Sequence, residues 1–496
     1  MKQSDGDPEN SSQRTRVHDN IAERLENLPA RGRSRMVIVV AALAVFFDIG
    51  DGASLGLVAP TLRHAIGLTT TMFALTMSAT FIGSFLGASI GGYLSDRFGR
   101  IRFFRLALAI TTLFTLAQSV IQTPVELVIL RFLAGIGIGS LFVVALIYLV
   151  EMSPPSRRTA RTAIVAGIGV GGSAVFATLA RLIIPVGPEG WRLVFCISAL
   201  AIFLYIPLRL LPESPLWLVT RGRLDDAEAA MTSLERNSGV SSAQSPASAT
   251  CEEVLTSGAA GSTATESVNA EPDTVDITGG EPVRLTRGPL LVSLVLVSMM
   301  LMLYSTAGQS FSMWLPTILD ARGFDSSLAL TVTAASLYGA PLGCAIVYLS
   351  SRFVSRWTMM FAMAALACIS IVVFFASDAT SVVIVSAFVV MAVSGGYSPL
   401  TNVTAGEEFP TPVRASGMGF AHSTTRVSNA VAPFWLAMVL NSGLFVLGSF
   451  LVGLWVGILA VVSALRARHI AAQRRTSKQQ DIDTLSTVAG SGKPLN

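Results

Sequence analysis

Charge is what these 496 residues lack most: Asp, Glu, Lys and Arg together make up 13% of the chain. A soluble protein carries about a quarter, so an ordinary water-soluble fold is excluded early. Cysteine is scarce as well, with four in all. Cys196, Cys344 and Cys368 fall in apolar stretches and Cys251 in a polar one. None has metal-ligand spacing and no disulfide framework is expected, so neither a metal nor a cofactor is expected. There is no GxxxxGK[ST] phosphate loop, which argues against an ATP-driven machine. The opening MKQSDGDPENSSQRTR has no apolar core, so no cleavable signal peptide is expected.

What is present is hydrophobicity in packets of about 20 residues, the length a helix needs to cross a bilayer. Twelve such segments run at roughly 36–60, 71–94, 103–121, 126–150, 162–186, 191–211, 288–316, 327–350, 357–376, 380–405, 418–440 and 443–466. An all-α, multi-pass protein of the cell membrane follows. Arginines crowd alternate loops: Arg31, Arg33 and Arg35; Arg97, Arg100 and Arg102; Arg157, Arg158 and Arg161. The intervening short loops hold few, with Arg63 and Arg322 as exceptions. The positive-inside rule places both termini in the cytoplasm. The mild basicity is thus a topology signal, and no nucleic-acid partner is expected.

The second half restates the first at an offset of about 256 residues. APTLRHAIG (59–67) corresponds to LPTILDARG (315–323), and Gly83 and Gly87 to Gly339 and Gly343. SDRFGR (95–100) corresponds to SSRFVSR (350–356), and EMSPPSRR (151–158) to EEFPTPVR (407–414). Two six-helix bundles in parallel orientation are predicted, 36–211 and 288–466, with a site near the midplane between them. Residues 1–35 form an N-terminal arm whose Ile21, Leu25 and Leu28 share one helical face, suited to lying on the inner leaflet, with a simply solvated arm as the open alternative. The linker, 212–287, starts with a stretch able to form short helices. Its remainder, rich in Ser, Ala, Thr, Gly and Glu, reads as disordered, as does the tail 467–496.

Several motifs resemble a known superfamily. GYLSDRFGRIR (92–102) looks like the major facilitator loop signature, held here by Gly92, Asp96, Arg97, Gly99, Arg100 and Arg102. RFLAGIGIG (131–139) resembles the fourth-helix signature, and LPESPLWL (211–218) the close of the first half in the sugar-porter and organic-ion branches. DIGD (48–51) looks like the D-G-x-D of the aromatic acid and metabolite:proton symporters, niacin transporters among them, with Ile49 and Gly50 departing from that pattern. The resemblance implies a twelve-helix transporter rather than an enzyme, a monomer whose partners are a small molecule, protons and the bilayer. It also implies that helices three, six, nine and twelve face lipid, and these four have charge-free cores.

The charges inside spans fall elsewhere: Asp48 and Asp51 in helix one, Arg131 in helix four and Arg426 in helix eleven, with Arg181 near a helix end. An intramembrane charge must face protein or a wet cavity and marks a functional site by default. Asp48 and Asp51 share a face. Burial would raise a carboxylate's pKa and a nearby arginine would lower it, so one of the pair, with Asp51 favoured, is expected to carry a proton under the influence of Arg131. The alternative is a structural ion pair of Asp48 or Asp51 with Arg131 that holds the bundle together. Arg426 has no acidic residue deep in its own half, and an uncompensated guanidinium would hold a substrate carboxylate by a bidentate fork. Tyr304, Gln309, Trp314, Tyr397, Asn402 and Asn429 are candidate wall residues around it.

In the loops, Asp96, Arg97 and Arg100 are expected to pair with helix ends and with Glu151 and Arg158 as a cytoplasmic gate. Glu407 and Arg414 would do likewise in the second half. The expected activity is proton-coupled uptake of a small organic anion by alternating access. A sugar or polyol symporter stays open as the alternative, and PESPLWL favours it. Drug efflux is less favoured, because AGIGVGGSAVFATLA in helix five lacks a Gly-Pro pair. A non-transporting sensor is also less favoured, because linker and tail are too short and polar for an output domain.

Overall fold

The structure, a computed structural model, describes residues 17, 20–21, 23–27, 31–154, 157–238, 289–351, 353–409 and 411–490. Of residues 159–160, 163, 411–416, 419 and 472–490 it describes the backbone alone. Cys251, Leu28 and the linker composed of small and polar residues lie outside the described residues.

Six helices make the first half: span one Gly32–Ala65, span two Thr70–Phe98, span three Arg100–Val120, span four Pro124–Glu151, span five Arg158–Ile183 and span six Gly190–Leu210. Span six takes a 3-10 turn at Ala199–Leu204. Six more make the second half: span seven Pro289–Ala321, span eight Ser326–Ser350, span nine Arg356–Ala376, span ten Thr380–Glu407, span eleven Thr411–Asn441 and span twelve Leu444–Gly490. Among the described residues, eleven of these helices are long and apolar enough to cross a membrane. The exception is span eleven, which is long enough at 31 residues. Its His422, Ser423, Thr424, Thr425, Arg426, Ser428 and Asn429 dilute its hydropathy, as expected of a helix that faces a polar interior.

Local chemistry sets the helix ends. Thr69 and Thr123 accept hydrogen bonds from the backbone N–H groups of Met72 and Glu126, capping spans two and four. Gly67 (φ +69°) and Gly323 (φ +82°) make equivalent left-handed exits after spans one and seven. The repeat also governs packing. A Cβ on Gly83 or Gly87 would sit 2.2 and 2.0 Å from the carbonyl oxygens of Phe132 and Ile136. On Gly339 or Gly343 it would sit 2.4 and 1.7 Å from those of Phe388 and Ala392. Spans two and four, and spans eight and ten, therefore approach through small residues in the same way at the same offset, as membrane helices do where dispersion must replace hydrophobic drive.

The halves meet at mid-depth and toward the face opposite the chain ends, here called the far face. Gly56 of span one lies against the Met313 backbone of span seven. The Phe73 and Trp314 rings meet edge-on at 4.8 Å, Arg63 pairs with Asp320 at 3.3 Å, and Thr178 shares a 3.0 Å hydrogen bond with Tyr338.

At the terminal face two short helices follow span six, Pro215–Thr220 and Leu224–Ser238. Ile21 and Leu25 are fully buried in the same cluster as Ala227, Met231 and Leu234 of the second. Arg24 chelates that helix through Glu228 at 2.6 Å and Glu235 at 2.8 Å, and Arg33 hydrogen-bonds Ser233. The hydrogen bond with Glu235 leads in raising the Arg24 pKa above its ordinary value. The arm is therefore docked on protein rather than spread on a leaflet, because its apolar face has found a partner helix of matching charge. Span twelve is a second correction. It runs through the expected boundary at Ala467 to Gly490, since LRARHIAAQRRTSKQQ contains neither Gly nor Pro to stop it.

Candidate functional site

At mid-depth the charges of spans one and four meet inside the first half, and Asp48 of span one lies near Arg426 of span eleven across the interface of the halves. Span one presents Asp48, Asp51 and Ser54 along one stripe. Asp51 Oδ2 lies 3.3 Å from Arg131 Nη1 of span four, at residue exposures of 0% for Arg131 and 2% for Asp51. The same nitrogen donates to the Asp51 carbonyl at 3.3 Å and Nη2 donates to Ser54 Oγ at 2.8 Å. Thr115 of span three donates to Asp51 Oδ2 at 3.5 Å, and the guanidinium stacks over the Phe195 ring of span six at 5.3 Å. Ser54, Thr115 and Phe195, from three helices, thus hold the pair. At 3.3 Å and an effective dielectric near 20, Coulomb attraction is about 5 kcal/mol. Desolvation costs several kcal/mol per ion, so the pair holds span one on span four without adding much net stability. Arg131 Nε and Asp51 Oδ1 have no hydrogen-bond partner among the described residues.

Asp48, one turn toward the terminal face, is held differently. It is 8% exposed, and its Oδ1 has no hydrogen-bond partner among the described residues. Its charged neighbours are Asp51 on its own helix and Arg426 on span eleven, across the interface between the halves. Arg426 also donates to Ser84 Oγ of span two at 3.3 Å and feels the nearby His422. The acidic side chain near Arg426 is Asp48, which comes from the other half and makes no ion pair with it in this conformation.

The wall candidates divide into separate groups. Tyr304 and Tyr397 stack at 5.6 Å. The Tyr304 hydroxyl donates to the Ser394 carbonyl at 2.9 Å, while Tyr397 is fully buried, edge-on to Trp455 at 5.4 Å. Gln309, Trp314 and Asn429 line one small recess with Met77, Phe81 and Pro433. Asn429 there accepts from Ser305 Oγ at 2.9 Å. Trp314 is buried against Phe73, so it seals the interface rather than offering an open wall. Asn402 stands apart near the terminal end of span ten, exposed, donating to the Ser398 carbonyl at 3.0 Å. The aromatic candidates are packing residues in this conformation, and nothing in their spacing alone distinguishes that from lining a site.

The loop set closes around Arg100, which pairs with Asp96 at 2.5 Å and Glu151 at 2.8 Å. Gly99 (φ +103°) needs to be glycine, and a Cβ there would lie 2.6 Å from Glu213 Oε2. Glu213 instead accepts from the Ile101 N–H at 3.0 Å, and Trp217 Nε1 donates to the Asp96 carbonyl at 2.8 Å. The LPESPLWL segment is therefore the clamp on this loop. Arg97 lies over the Phe98 ring at 5.8 Å, and Arg158 donates to the Ser153 carbonyl at 3.3 Å rather than to Glu151. A Cβ on Gly92 would meet open space. In the second half Arg356 pairs with Glu407, repeating Arg100–Glu151 at the same offset. The Arg414 side chain lies outside the described residues.

Ser54, Thr115, Ser84 and Phe195 escaped the sequence reading. Ser54 was within reach, three residues beyond Asp51 on the same stripe; the others carry no local signal.

The sequence profile of the Major Facilitator Superfamily matches residues 41–433. The chain belongs to the Major Facilitator Superfamily. This facilitator is therefore a multi-pass membrane transporter with the superfamily's twelve-helix architecture. It is 32% identical over 221 residues to the niacin transporter NiaP of Acinetobacter baylyi, a match covering 44% of this chain and 50% of that one. It is 28% identical to the gallate transporter of Pseudomonas putida over 66% of this chain and 68% of that one. The partially occluded, inward-open structure of the xylose transporter XylE from Escherichia coli has the same fold, with a TM-score of 0.65 at 17% identity, covering 86% of this chain and 96% of that one.

Proposed function

We propose that this facilitator is a proton-coupled symporter that takes up a small organic acid, an aromatic carboxylate foremost, by alternating access. The observation that carries the reading is a mid-depth set of two aspartates and two arginines, Asp51 with Arg131 inside the first half and Asp48 near Arg426 across the interface of the halves. A guanidinium reaching across that interface suits an anion, and carboxylates beside it suit a proton. The printed names of the niacin and gallate transporters support an aromatic acid as the substrate class. With the termini in the cytoplasm, the contacts at Gly56, Arg63 and Phe73 would close the outside, leaving the site to open inward. The Arg100 and Arg356 clusters would close the inside in the opposite phase.

Proteoliposomes holding the protein, given an inward proton gradient, are expected to accumulate nicotinate, gallate or benzoate above protein-free vesicles. Accumulation that a protonophore leaves untouched would rule out symport. A second reading, a sugar or polyol symporter, is favoured by the two uncharged amides, Gln309 and Asn429, in an otherwise largely apolar recess between the halves. A thermal-shift screen of acids against sugars separates the two.

A further inference from the structure

Spans two and eleven meet in register from Arg426 toward the far face. Arg426 donates to Ser84 Oγ. Asn429 and Pro433 stand three and seven residues beyond Arg426, and Phe81 and Met77 three and seven residues from Ser84, so the four share the facing stripes and line one recess. Asn429 is buried and held: its Oδ1 accepts from Ser305 Oγ of span seven at 2.9 Å. Beside it Thr306 and Ser428 share a 2.6 Å hydrogen bond, so the two helices are stitched together at this level. The Asn429 Nδ2 has no hydrogen-bond partner among the described residues. Nor has the amide of Gln309, one turn from Ser305 on the same face of span seven. Both amides line the recess, which is otherwise largely apolar and has room for no more than one water-sized group.

We infer that Asn429 and Gln309 read a hydroxyl of the substrate, and that Ser305 is the positioning residue that aims Asn429 at it. The inference rests on the organic-acid reading and adds what stands at the end of the molecule remote from its carboxylate. With the carboxylate on Arg426, a ring lying along the seam of spans two and eleven turns its distal edge to the recess. Three helical residues advance about 4.5 Å, a distance on the scale of a single aromatic ring. A hydroxyl at that edge accepts from Asn429 Nδ2 and donates to Gln309 Oε1, so one atom satisfies both amides. A bare C–H in its place strips water from the amides and returns nothing. That is how a site built for a hydroxyl rejects the analogue without one. A ring nitrogen accepts only and does not project into the recess. A methoxy group exceeds the space and has no proton to give. Arg426 therefore recognises the charge, and the amide pair one turn away recognises what the ring carries opposite it.

The test is titration calorimetry on the full-length protein in detergent, with benzoate, para-hydroxybenzoate, ortho-hydroxybenzoate and para-methoxybenzoate as probes. The wild type should bind para-hydroxybenzoate about 5- to 150-fold more tightly than benzoate. The ortho isomer, whose hydroxyl lies beside the carboxylate, and the methoxy compound should gain nothing over benzoate. Asn429→Leu should make para-hydroxybenzoate and benzoate bind alike. Ser305→Ala should lower the ratio of the two affinities part-way and Ser305→Thr should restore it, which a merely structural role for Ser305 would not do. A wild type that binds benzoate as tightly as para-hydroxybenzoate would overturn the inference and leave the acid reading standing. A preference that survives both Asn429→Leu and Gln309→Met would do the same. If the wild type binds none of the four acids, the acid reading falls and the inference with it. Should Asn429→Leu not fold, Gln309→Met carries the same readout.

Discussion

Gly56 offers a direct test of how the far face closes. An alanine Cβ at this position would sit 2.3 Å from the Met313 carbonyl oxygen, whereas ordinary contact begins at 3.4 Å. Spans one and seven must therefore part by about 1 Å, or the backbone must yield. Overpacking of this kind costs about 1–3 kcal/mol, which would disfavour the far-closed arrangement by about 5- to 150-fold. Gly52, one turn away on the same helix, is the matched control, because its Cβ would meet nothing within 4 Å. With the four natural cysteines replaced, a reporter cysteine at Met77, buried near the contact, is labelled with an impermeant maleimide added from the far side. Gly56→Ala should label at least about fivefold faster than Gly52→Ala. Equal rates in the two variants would show that the Gly56–Met313 contact does not set the closed state.

Three further outcomes follow from the site and its supports. Arg426→Ala should weaken binding of nicotinate or gallate about 10- to 150-fold, the value of about 1.5–3 kcal/mol for hydrogen bonds to a charge; unchanged affinity by titration calorimetry would place the anion elsewhere. Asp51→Asn should lower thermal stability in detergent by about 3–5 kcal/mol, because Arg131 is left buried and uncompensated. Asp51→Asn with Arg131→Gln should regain much of that loss, and a double variant no better than the single would mean the pair is not the cause. Arg24→Ala should release the N-terminal arm, raising its rate of tryptic cleavage roughly fivefold, since partly solvated ion pairs contribute on the order of 1 kcal/mol. Cleavage at the wild-type rate would mean that Ile21 and Leu25 hold the arm unaided.

Much of this protein is written in short-range terms. Span lengths follow from the hydrocarbon thickness, and the far-face turns follow from glycines that must take positive φ. The repeat follows from Gly83, Gly87 and Arg100 recurring as Gly339, Gly343 and Arg356, and the structure returns each in its equivalent contact. The interior position of Asp51 and Arg131 was legible too, because lipid leaves a buried charge nowhere else to go. The partner assignments were not legible. That Asp48 lies near Arg426, that Thr115 reaches Asp51, and that Trp314 packs on Phe73 are facts about residues brought together from distant spans. The N-terminal arm shows the same division: its apolar stripe was evident in Ile21 and Leu25, but the choice between a leaflet and a helix depended on Glu228 and Glu235 arriving from more than 200 residues away. A sequence states which groups water and lipid will not tolerate alone; only the packed bundle decides which groups satisfy one another.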